Sequence, residues 1–275
     1  MSKTLIFVLF SVIISIYFQK YIIRYYYSNR GNYLDVYPKA KYLLTDKNDY
    51  NIEPRPNLLF QIYINHDIKK IPKNLYANIA KFASDYKHII IDDKIAKQFL
   101  QTHFDPVVYE TFTDIKKESI KGELLRYCLL YINGGVYLDI CTKLIKPLSE
   151  IFIDKNTIYT SLNSSRSYMN NGLISTPSRH PIFLSLIYYI IKMGKPIYYH
   201  DFRIDFMRQI EIDVHHKVNF GANNSDTTGQ KYYLLEEKCL KNSNMCRKPD
   251  RYGLCCIHYD GEIPVLKARR YGYPW

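Results

Sequence analysis

The residues of this chain best suited to chemistry lie in one short run, Asn133-Gly134-Gly135-Val136-Tyr137-Leu138-Asp139. Before this run, apolar residues at helical spacing predict a helix over 117–132. We expect the two glycines to end that helix in the left-handed conformation, which costs a residue without Cβ little. The apolar residues that follow predict a short strand, with Asp139 directly after it. Since α/β sheets place ligand-contacting groups at the carboxyl ends of strands, Asp139 is the first catalytic candidate.

Two charged residues on the preceding helix complete this candidate site. Glu123 and Arg126 are three residues apart, so they share one face of the helix. One interpretation is an ordinary ion pair on the helix surface. The other is a contact to a ligand, which their place just before the glycine run makes an equal alternative. On that interpretation Arg126 is the second catalytic candidate.

The order Glu123-x-x-Arg126 and then Gly134-Gly135-Val136-Tyr137-Leu138-Asp139 resembles the sugar-binding region of DXD-containing glycosyltransferases. The likeness is greatest to glycosyltransferase family 32, the group similar to initiating α-1,6-mannosyltransferases, which includes proteins of large DNA viruses. It covers about residues 57–185. The resemblance implies a GT-A-like fold, a GDP- or UDP-sugar donor, and hexosyl transfer, with mannose as one candidate sugar. It also implies retention of anomeric configuration, and donor contacts by Glu123 and Tyr137.

The chain departs from the family at the metal position. In the family, the first aspartate of DXD contacts donor hydroxyls and the second binds Mn²⁺ or Mg²⁺. Asp139 matches the first, but the second is Cys141, a soft thiol that suits hard ions poorly. The candidate metal ligands are Asp139, Cys141 and, near the C-terminus, His258. Either other groups hold the ion, or cationic side chains replace it, or catalysis has been lost.

Two further pairs of polar residues extend the predicted site. Asp92 and Asp93 follow a second predicted strand and are candidates for contacting the nucleotide, although Asp93 is an equally good helix N-cap. Asn170 and Asn171 are similar to a family segment on the acceptor side. Without that resemblance, they are expected to form a turn with Gly172.

The elements that must position these residues alternate along the chain. Strands are predicted over 57–64 and 88–91, helices over 72–87 and 93–102, and then the motif helix and its strand. Such alternation indicates βαβ units, so the predicted fold class is α/β: a Rossmann-like, mostly parallel sheet flanked by helices. The apolar stretch 181–193 is too short to span a bilayer and is predicted to be a buried helix. The catalytic domain is assigned to residues 57–275.

The N-terminus predicts attachment to a membrane. Residues 5–18 are almost uninterruptedly apolar, and the segment 1–24 reaches spanning length. No small residues follow it, which favours a single-pass transmembrane signal anchor over a cleaved signal peptide or a buried helix. Residues 25–56 are then a stem. Basic residues after the span favour a cytoplasmic domain, whereas the resemblance implies a lumenal one of the ER, Golgi or host endomembrane type, which we prefer.

The charge balance of the chain favours anionic partners. It has 38 basic and 26 acidic residues, a formal charge of +12, but its lysines are scattered rather than gathered in one stripe. We expect a nucleotide sugar, a glycan or protein acceptor and the membrane as partners, and no specific nucleic acid. One alternative is a pseudo-glycosyltransferase that binds sugar nucleotide or glycan without turnover. The other is a basic membrane-tethered nucleic-acid-binding protein, which would explain the charge but not the motif.

Overall fold

A computed structural model of the chain describes residues 33–48, 51–71, 73–140, 142–163, 165–193, 199–238, 255–259 and 263–268. In the last two ranges, and at 143, 193, 199–201, 237 and 238, only the backbone is described. The predicted anchor at 1–24 and Cys141 lie outside the described residues. No helix among the described ranges is long and apolar enough to cross a membrane.

Eight α-helices and ten strands make up the described part of the chain. The helices are α1 Tyr33–Ala40, α2 Lys73–Phe82, α3 Asp93–His103, α4 Pro106–Asp114, α5 Glu118–Asn133, α6 Leu148–Ile151, α7 Pro181–Met193 and α8 Tyr199–Val214. The strands are β1 Leu58–Ile62, β2 Lys87–Ile91, β3 Gly135–Leu138, β4 Thr142–Leu144, β5 Thr157–Asn163, β6 Met169–Thr176, β7 Gly221–Asn224, β8 Lys231–Lys238, β9 Cys255–Tyr259 and β10 Ile263–Ala268. The predicted strands, the motif helix and the buried helix at 181–193 are confirmed as elements, with small shifts of their ends.

The sheet is mixed, so the prediction of a mostly parallel sheet is wrong. Its strand order is β2-β1-β3-β6-β5-β8-β9-β10-β4, with β7 on β8. Among the described strands, the parallel pairs are β1–β2, β1–β3 and β5–β8. The βαβ units predicted from the alternation end at β3, because β5–β6 and β7–β8 are joined by short loops. A short loop forces antiparallel pairing, whereas a parallel pair needs a long crossover.

Two hydrophobic cores cover the two faces of this sheet. The first contains buried residues of α1, α3, α4, α5, α7 and α8, and the second contains those of α2 and α6. Strand β3 alternates between them: Tyr137 faces the first core, while Val136 and Leu138 face the second. Because successive side chains of a strand point to opposite faces, Asp139 falls on the same side as Tyr137, towards α5.

The folded domain begins before residue 57, so residues 33–56 are not the stem that the sequence predicted. Tyr33 is fully buried, and its carbonyl oxygen accepts a hydrogen bond of 3.0 Å from Ser185 Oγ on α7. Arg55 is 2% exposed. Its Nη1 donates to Tyr86 Oη at 2.6 Å, and its Nη2 donates to the Phe152 carbonyl at 2.9 Å. The polar, tyrosine-rich composition concealed these contacts, because tyrosine can bury its ring while its hydroxyl stays bonded.

Candidate active site

The carboxyl ends of three parallel strands meet at one edge of the sheet. Strand β1 lies between β2 and β3, in register with both. Helix α2 connects β1 to β2 over the second core, whereas α3 to α5 connect β2 to β3 over the first. The two crossovers therefore leave opposite faces of the sheet. Such a reversal opens a crevice beyond the strand ends, where open α/β sheets bind ligands. Asp139 follows β3 and Asp92 follows β2 at this edge.

The carboxylate of Asp139 is held by two donors on one oxygen. Arg126 Nη2 donates to Asp139 Oδ1 at 3.1 Å, and Tyr137 Oη donates to the same oxygen at 2.7 Å. The Asp139 side chain is 33% exposed, whereas that of Arg126 is only 6% exposed. No hydrogen bond joins Asp139 Oδ2 to a described side chain. The arrangement thus fixes the direction of the carboxylate and leaves its second oxygen for a ligand.

The guanidinium of Arg126 connects helix α5 to strand β3. Its Nη1 donates to Glu123 Oε1 at 2.7 Å, and its Nη2 also donates to Tyr137 Oη at 3.1 Å. It lies over the Tyr137 ring, with 4.1 Å from Cζ to the ring centroid. Burial raises the pKa of the Tyr137 phenol well above its usual range, so this hydroxyl stays protonated and donates to Asp139.

Glu123 is part of this network but lies behind it. Its side chain is fully buried, with Oε1 on Arg126 and Oε2 accepting 2.8 Å from Asn171 Nδ2. Asn171 is also fully buried, and the same nitrogen donates to Tyr127 Oη at 2.7 Å. In the described structure, both residues orient Arg126 from the protein interior. The predicted direct donor contacts would require this buried network to open.

A bulge in β6 brings Asn171 into the network. Thr160 of β5 pairs with Ile174, but the next residue, Ser161, pairs with Asn170. The three residues between Asn170 and Ile174 therefore have no register partner in β5, although Thr160 Oγ1 donates to the Leu173 carbonyl at 3.1 Å. Bulges of this kind redirect side chains and occur often beside active sites. Asn170 itself is half-buried, and its Oδ1 accepts the Gly172 N–H at 3.1 Å; both residues belong to β6, so the alternative of a separate turn at this place is wrong.

Glycines allow the close approaches at the site. A Cβ on Gly172 would lie 2.8 Å from Asp139 Oδ2, so only glycine leaves the carboxylate its present position. Gly134 has φ 64° and ψ −156°, which is not the left-handed helical cap that we expected but a region open almost only to glycine. A Cβ on Gly135 would lie 2.8 Å from the Leu58 carbonyl oxygen. The Gly-Gly pair thus lets β3 pack closely against its neighbours.

The acidic pair after β2 has a structural part at this edge. Asp92 is the N-cap of α3, and its Oδ1 accepts the Ile95 N–H at 2.8 Å. Asp93, which we considered as the cap, is the first helical residue, and its Oδ2 accepts the Asn65 N–H at 2.6 Å. Both carboxylates are partly exposed and therefore remain candidates for contacting a nucleotide.

Of the three predicted metal ligands, Asp139 is the one whose side chain is described. No three His, Cys, Asp or Glu residues in the described part of the chain are close enough to hold an ion. The other two predicted ligands, Cys141 and the His258 side chain, lie outside that part. The structure therefore describes only Asp139 among the predicted metal ligands. Magnesium can bind through one carboxylate together with substrate phosphates and water. The Asp139 Oδ2 position fits an ion only in that manner.

Four residues near Asp139 were missed by sequence reasoning: Gln61, His88, Tyr127 and Gly172. Gln61 is fully buried; its Nε2 donates to the Asp139 carbonyl at 3.4 Å, and its Oε1 lies 2.8 Å from His88 Nε2. The available signal was a glutamine inside the apolar strand Leu58–Ile62. Tyr127 gave no signal, because a tyrosine beside a helix ion pair is unremarkable in sequence.

The part of the chain that carries Glu123, Arg126 and Asp139 is similar to known proteins. Residues 72–159 match the family model described as the glycosyltransferase sugar-binding region containing DXD motif. An uncharacterized glycosyltransferase of Acanthamoeba polyphaga mimivirus is 29% identical over 133 residues, 46% of this chain and 52% of that protein. The initiation-specific alpha-1,6-mannosyltransferase of Candida albicans is 26% identical over 163 residues, 53% of this chain and 42% of the relative.

A second kind of relative is the mannosyl phosphorylinositol ceramide synthase of Saccharomyces cerevisiae, 27% identical over 137 residues, 48% of this chain and 34% of the relative. This chain thus spans about half or less of the curated relatives that it matches. Among solved structures, the PaToxG glycosyltransferase aligns with a TM-score of 0.46 and 16% identity over 66% of this chain and 76% of that one, which is too distant to bear on the site. The resemblance to DXD-containing glycosyltransferases that the motif predicted is confirmed over residues 72–159, the part of this chain that matches the sugar-binding region.

Proposed function

We propose that this protein transfers a hexose from a nucleotide-sugar donor to a glycan or protein acceptor. The observation that carries the proposal is the carboxylate of Asp139. It follows β3 at the carboxyl ends of the parallel strands, inside the matched region, with one oxygen held by Arg126 and Tyr137 and the other without a hydrogen bond to a described side chain. A carboxylate oxygen accepts hydrogen bonds from sugar or ribose hydroxyls. A carboxylate fixed beforehand binds them with little loss of entropy.

Arg126 acts through Asp139 in this proposal. Its guanidinium is buried and already donates to Glu123, Tyr137 and Asp139, so its first task is to hold the carboxylate. Its positive charge, close to the crevice, also favours the anionic diphosphate of the donor. The donor sugar is proposed to be mannose, carried by GDP, because two of the relatives are named for mannosyl transfer. Retention of configuration is proposed with it.

Among the described residues, Asp139 is the one that would hold a divalent ion. Such an ion would neutralise charge on the departing diphosphate. Cys141, as a soft ligand, favours weak dependence on Mn²⁺ in the wild-type protein. We expect Cys141→Asp to increase Mn²⁺-dependent donor hydrolysis. Strong, strictly Mn²⁺-dependent activity that Cys141→Asp leaves unchanged would show that residue 141 is not a metal position.

The decisive experiment is a donor screen on the full chain. Thermal shift and hydrolysis of GDP-mannose, UDP-glucose and UDP-galactose would be measured with and without Mn²⁺. Asp139→Asn should lower kcat/KM at least roughly 100-fold, because the charge that orients the donor is lost. Folding should be retained, since Glu123 still pairs with Arg126.

The matched control is Asp105→Asn. Asp105 caps α4 by accepting the Val107 N–H at 3.1 Å, and asparagine caps a helix equally well. Near-normal turnover by Asp139→Asn would refute the site assignment. Saturable donor binding without turnover, in wild type and in Cys141→Asp, would instead support the pseudo-glycosyltransferase.

Attachment to a membrane through residues 1–24 is also proposed, on the ground of their apolar sequence alone. A lumenal orientation of the domain is proposed with it, on the ground of the family resemblance. Sedimentation of the full chain with membranes after alkaline extraction tests the anchor. Release of the chain into the supernatant would contradict it.

A further inference from the structure

Asn78 is a polar residue on the apolar face of helix α2. It lies with Leu75 and Ile79 on the buried side of the helix and is 8% exposed. Its Nδ2 donates to the Leu144 carbonyl at 2.8 Å, and its Oδ1 accepts the Leu144 N–H at 2.8 Å. A carboxamide presents a donor and an acceptor side by side, as a peptide group does. Asn78 therefore pairs with Leu144 as a residue of a neighbouring strand would.

The segment that Asn78 pairs with begins at the donor carboxylate. The Asp139 carbonyl accepts the Thr142 N–H at 2.9 Å, which makes a turn between β3 and β4. Gln61 Nε2 also donates to that carbonyl at 3.4 Å. Gln61 thus bonds to Asp139 at the end of β3, and Asn78 bonds to Leu144 in β4. Both side chains come from the first βαβ unit, which is distant in sequence.

We propose that Asn78 is a positioning residue of the donor site. By fixing Leu144, it holds the turn that follows Asp139, so the carboxylate keeps its place beside Arg126. The inference rests on the proposed function, because it assigns Asn78 to the binding of the same donor. The Asp139 side chain is 33% exposed, so packing alone does not immobilise it. Backbone restraint of the turn would add to the hydrogen bonds from Arg126 and Tyr137 that orient it.

Two substitutions test the restraint itself. Asn78→Leu removes both hydrogen bonds, and Asn78→Asp keeps the acceptor for the Leu144 N–H while losing the donor. Ile79→Val is the matched control, since Ile79 is buried on the same helix and in the same core but makes no bond to Leu144 through its side chain. Amide hydrogen exchange of the full chain would be measured over residues 139–146. Exchange at Leu144 should rise roughly tenfold in Asn78→Leu, less in Asn78→Asp, and little in Ile79→Val.

A double-mutant cycle with Asp139→Asn tests the positioning role. Asn78→Leu should lower donor affinity and kcat/KM roughly ten- to a hundredfold in the wild-type background. In the Asp139→Asn background it should cause almost no further loss, because both changes remove the same interaction. A purely structural role would give equal losses in both backgrounds.

Each result decides one part of the inference. Unchanged exchange at Leu144 in Asn78→Leu would overturn the restraint. Equal losses in the two backgrounds would overturn the positioning of Asp139. A wild-type chain that binds no nucleotide sugar would overturn the proposed function and this role with it. Hydrogen exchange needs no donor, so it distinguishes that failure from a failure of the restraint.

Discussion

Single atoms decide the geometry around Asp139. Its Oδ1 accepts from Arg126 and Tyr137, and its Oδ2 has room because residue 172 carries no Cβ. Two hydrogen bonds therefore hold one oxygen of the carboxylate, and the absence of a side chain on Gly172 leaves space for the other. Substitutions at this scale should change function more than stability, because they displace a partly exposed side-chain end and not the core.

Gly172→Ala tests the space beside the carboxylate. The new Cβ would lie 2.8 Å from Asp139 Oδ2 and 3.2 Å from Asn170 Oδ1, so both side chains must move. We expect kcat/KM to fall at least about tenfold while the unfolding free energy changes by less than about 1 kcal/mol. Enzyme kinetics and urea denaturation measure the two quantities.

Gly122→Ala is the control for this substitution. Gly122 lies inside α5, and a Cβ there would meet no atom within 4 Å. Alanine should stabilise the helix by roughly 0.5–1 kcal/mol without loss of activity. If Gly172→Ala behaved in the same way as Gly122→Ala, the space at Gly172 would have no role in the site.

Helix α5 and strand β3 act as one unit at the scale of the element. Helical spacing puts Glu123 and Arg126 on one face, and the Gly-Gly turn returns the chain so that Tyr137 and Asp139 face them. The bulge in β6 supplies Asn171 from a third element. Local sequence could therefore predict that Glu123, Arg126 and Asp139 belong together. It could not predict the hydrogen bond from Asn171 to Glu123, which is 48 residues away. That contact depends on which strand pairs with β3.

Arg126→Lys tests this connection between α5 and β3. An ammonium keeps the charge but lacks the planar fork that reaches Glu123, Tyr137 and Asp139 together. At least one buried partner then loses its hydrogen-bond donor, which should lower the unfolding free energy by roughly 2–3 kcal/mol. Most of the activity should be lost as well. Urea denaturation gives the first value.

The control is Arg166→Lys on the surface. Arg166 is exposed, donates to Asn219 Oδ1 at 2.9 Å and lies over the Phe220 ring. It should cost less than about 1 kcal/mol. Equal stability losses in Arg126→Lys and Arg166→Lys would show that the buried network contributes no more than a surface contact.

The stability of the whole molecule should depend on pH through buried histidine. His180 is fully buried; Ile182 N–H donates to its Nδ1 at 3.3 Å, so its Nε2 donates to Gln230 Oε1 at 2.9 Å. Burial lowers the pKa of His180 to about 4. Below the unfolded pKa of about 6.5, the unfolded chain binds a proton that the folded chain does not. Stability should therefore fall as pH drops from about 6.5 to 4, by up to about 3 kcal/mol.

Urea denaturation at several pH values would measure this dependence. His180→Gln should flatten the curve, whereas His216→Gln, at an exposed position, should leave it unchanged. Burial also lowers the pKa of His88, so part of the slope should remain in His180→Gln. Parallel curves for wild type and His180→Gln would contradict the assignment to His180.

Truncation tests where the folded domain starts. Removing residues 1–32 should leave a cooperatively folding chain, because the compact unit begins at Tyr33. Removing residues 1–56, as the stem boundary suggested, deletes α1 and the buried Arg55 and should lower the midpoint of thermal unfolding strongly. Thermal scans of the two truncated chains decide between the boundaries. Equal midpoints would restore the boundary at 57.

The sequence by itself determined the local part of this protein. This part consists of the helix over 118–133, its end at the two glycines, the following strand and Asp139. Each of these features depends on residues close together in the chain. Helical periodicity, glycine caps and strand-forming runs are local properties, so they can be recognised before the fold is known. The same is true of the first βαβ unit and of the buried helix α7.

Only the tertiary structure decided the rest. Several features depend on contacts between residues far apart in sequence. They are the antiparallel part of the sheet, the start of the domain at Tyr33, the space at Gly172 and the pairing of Asn78 with Leu144. A buried strand shows the same apolar run whether its neighbour is parallel or antiparallel. A buried asparagine or glutamine can be interpreted only when its hydrogen-bond partner is known, because the partner supplies the free energy that allows its burial.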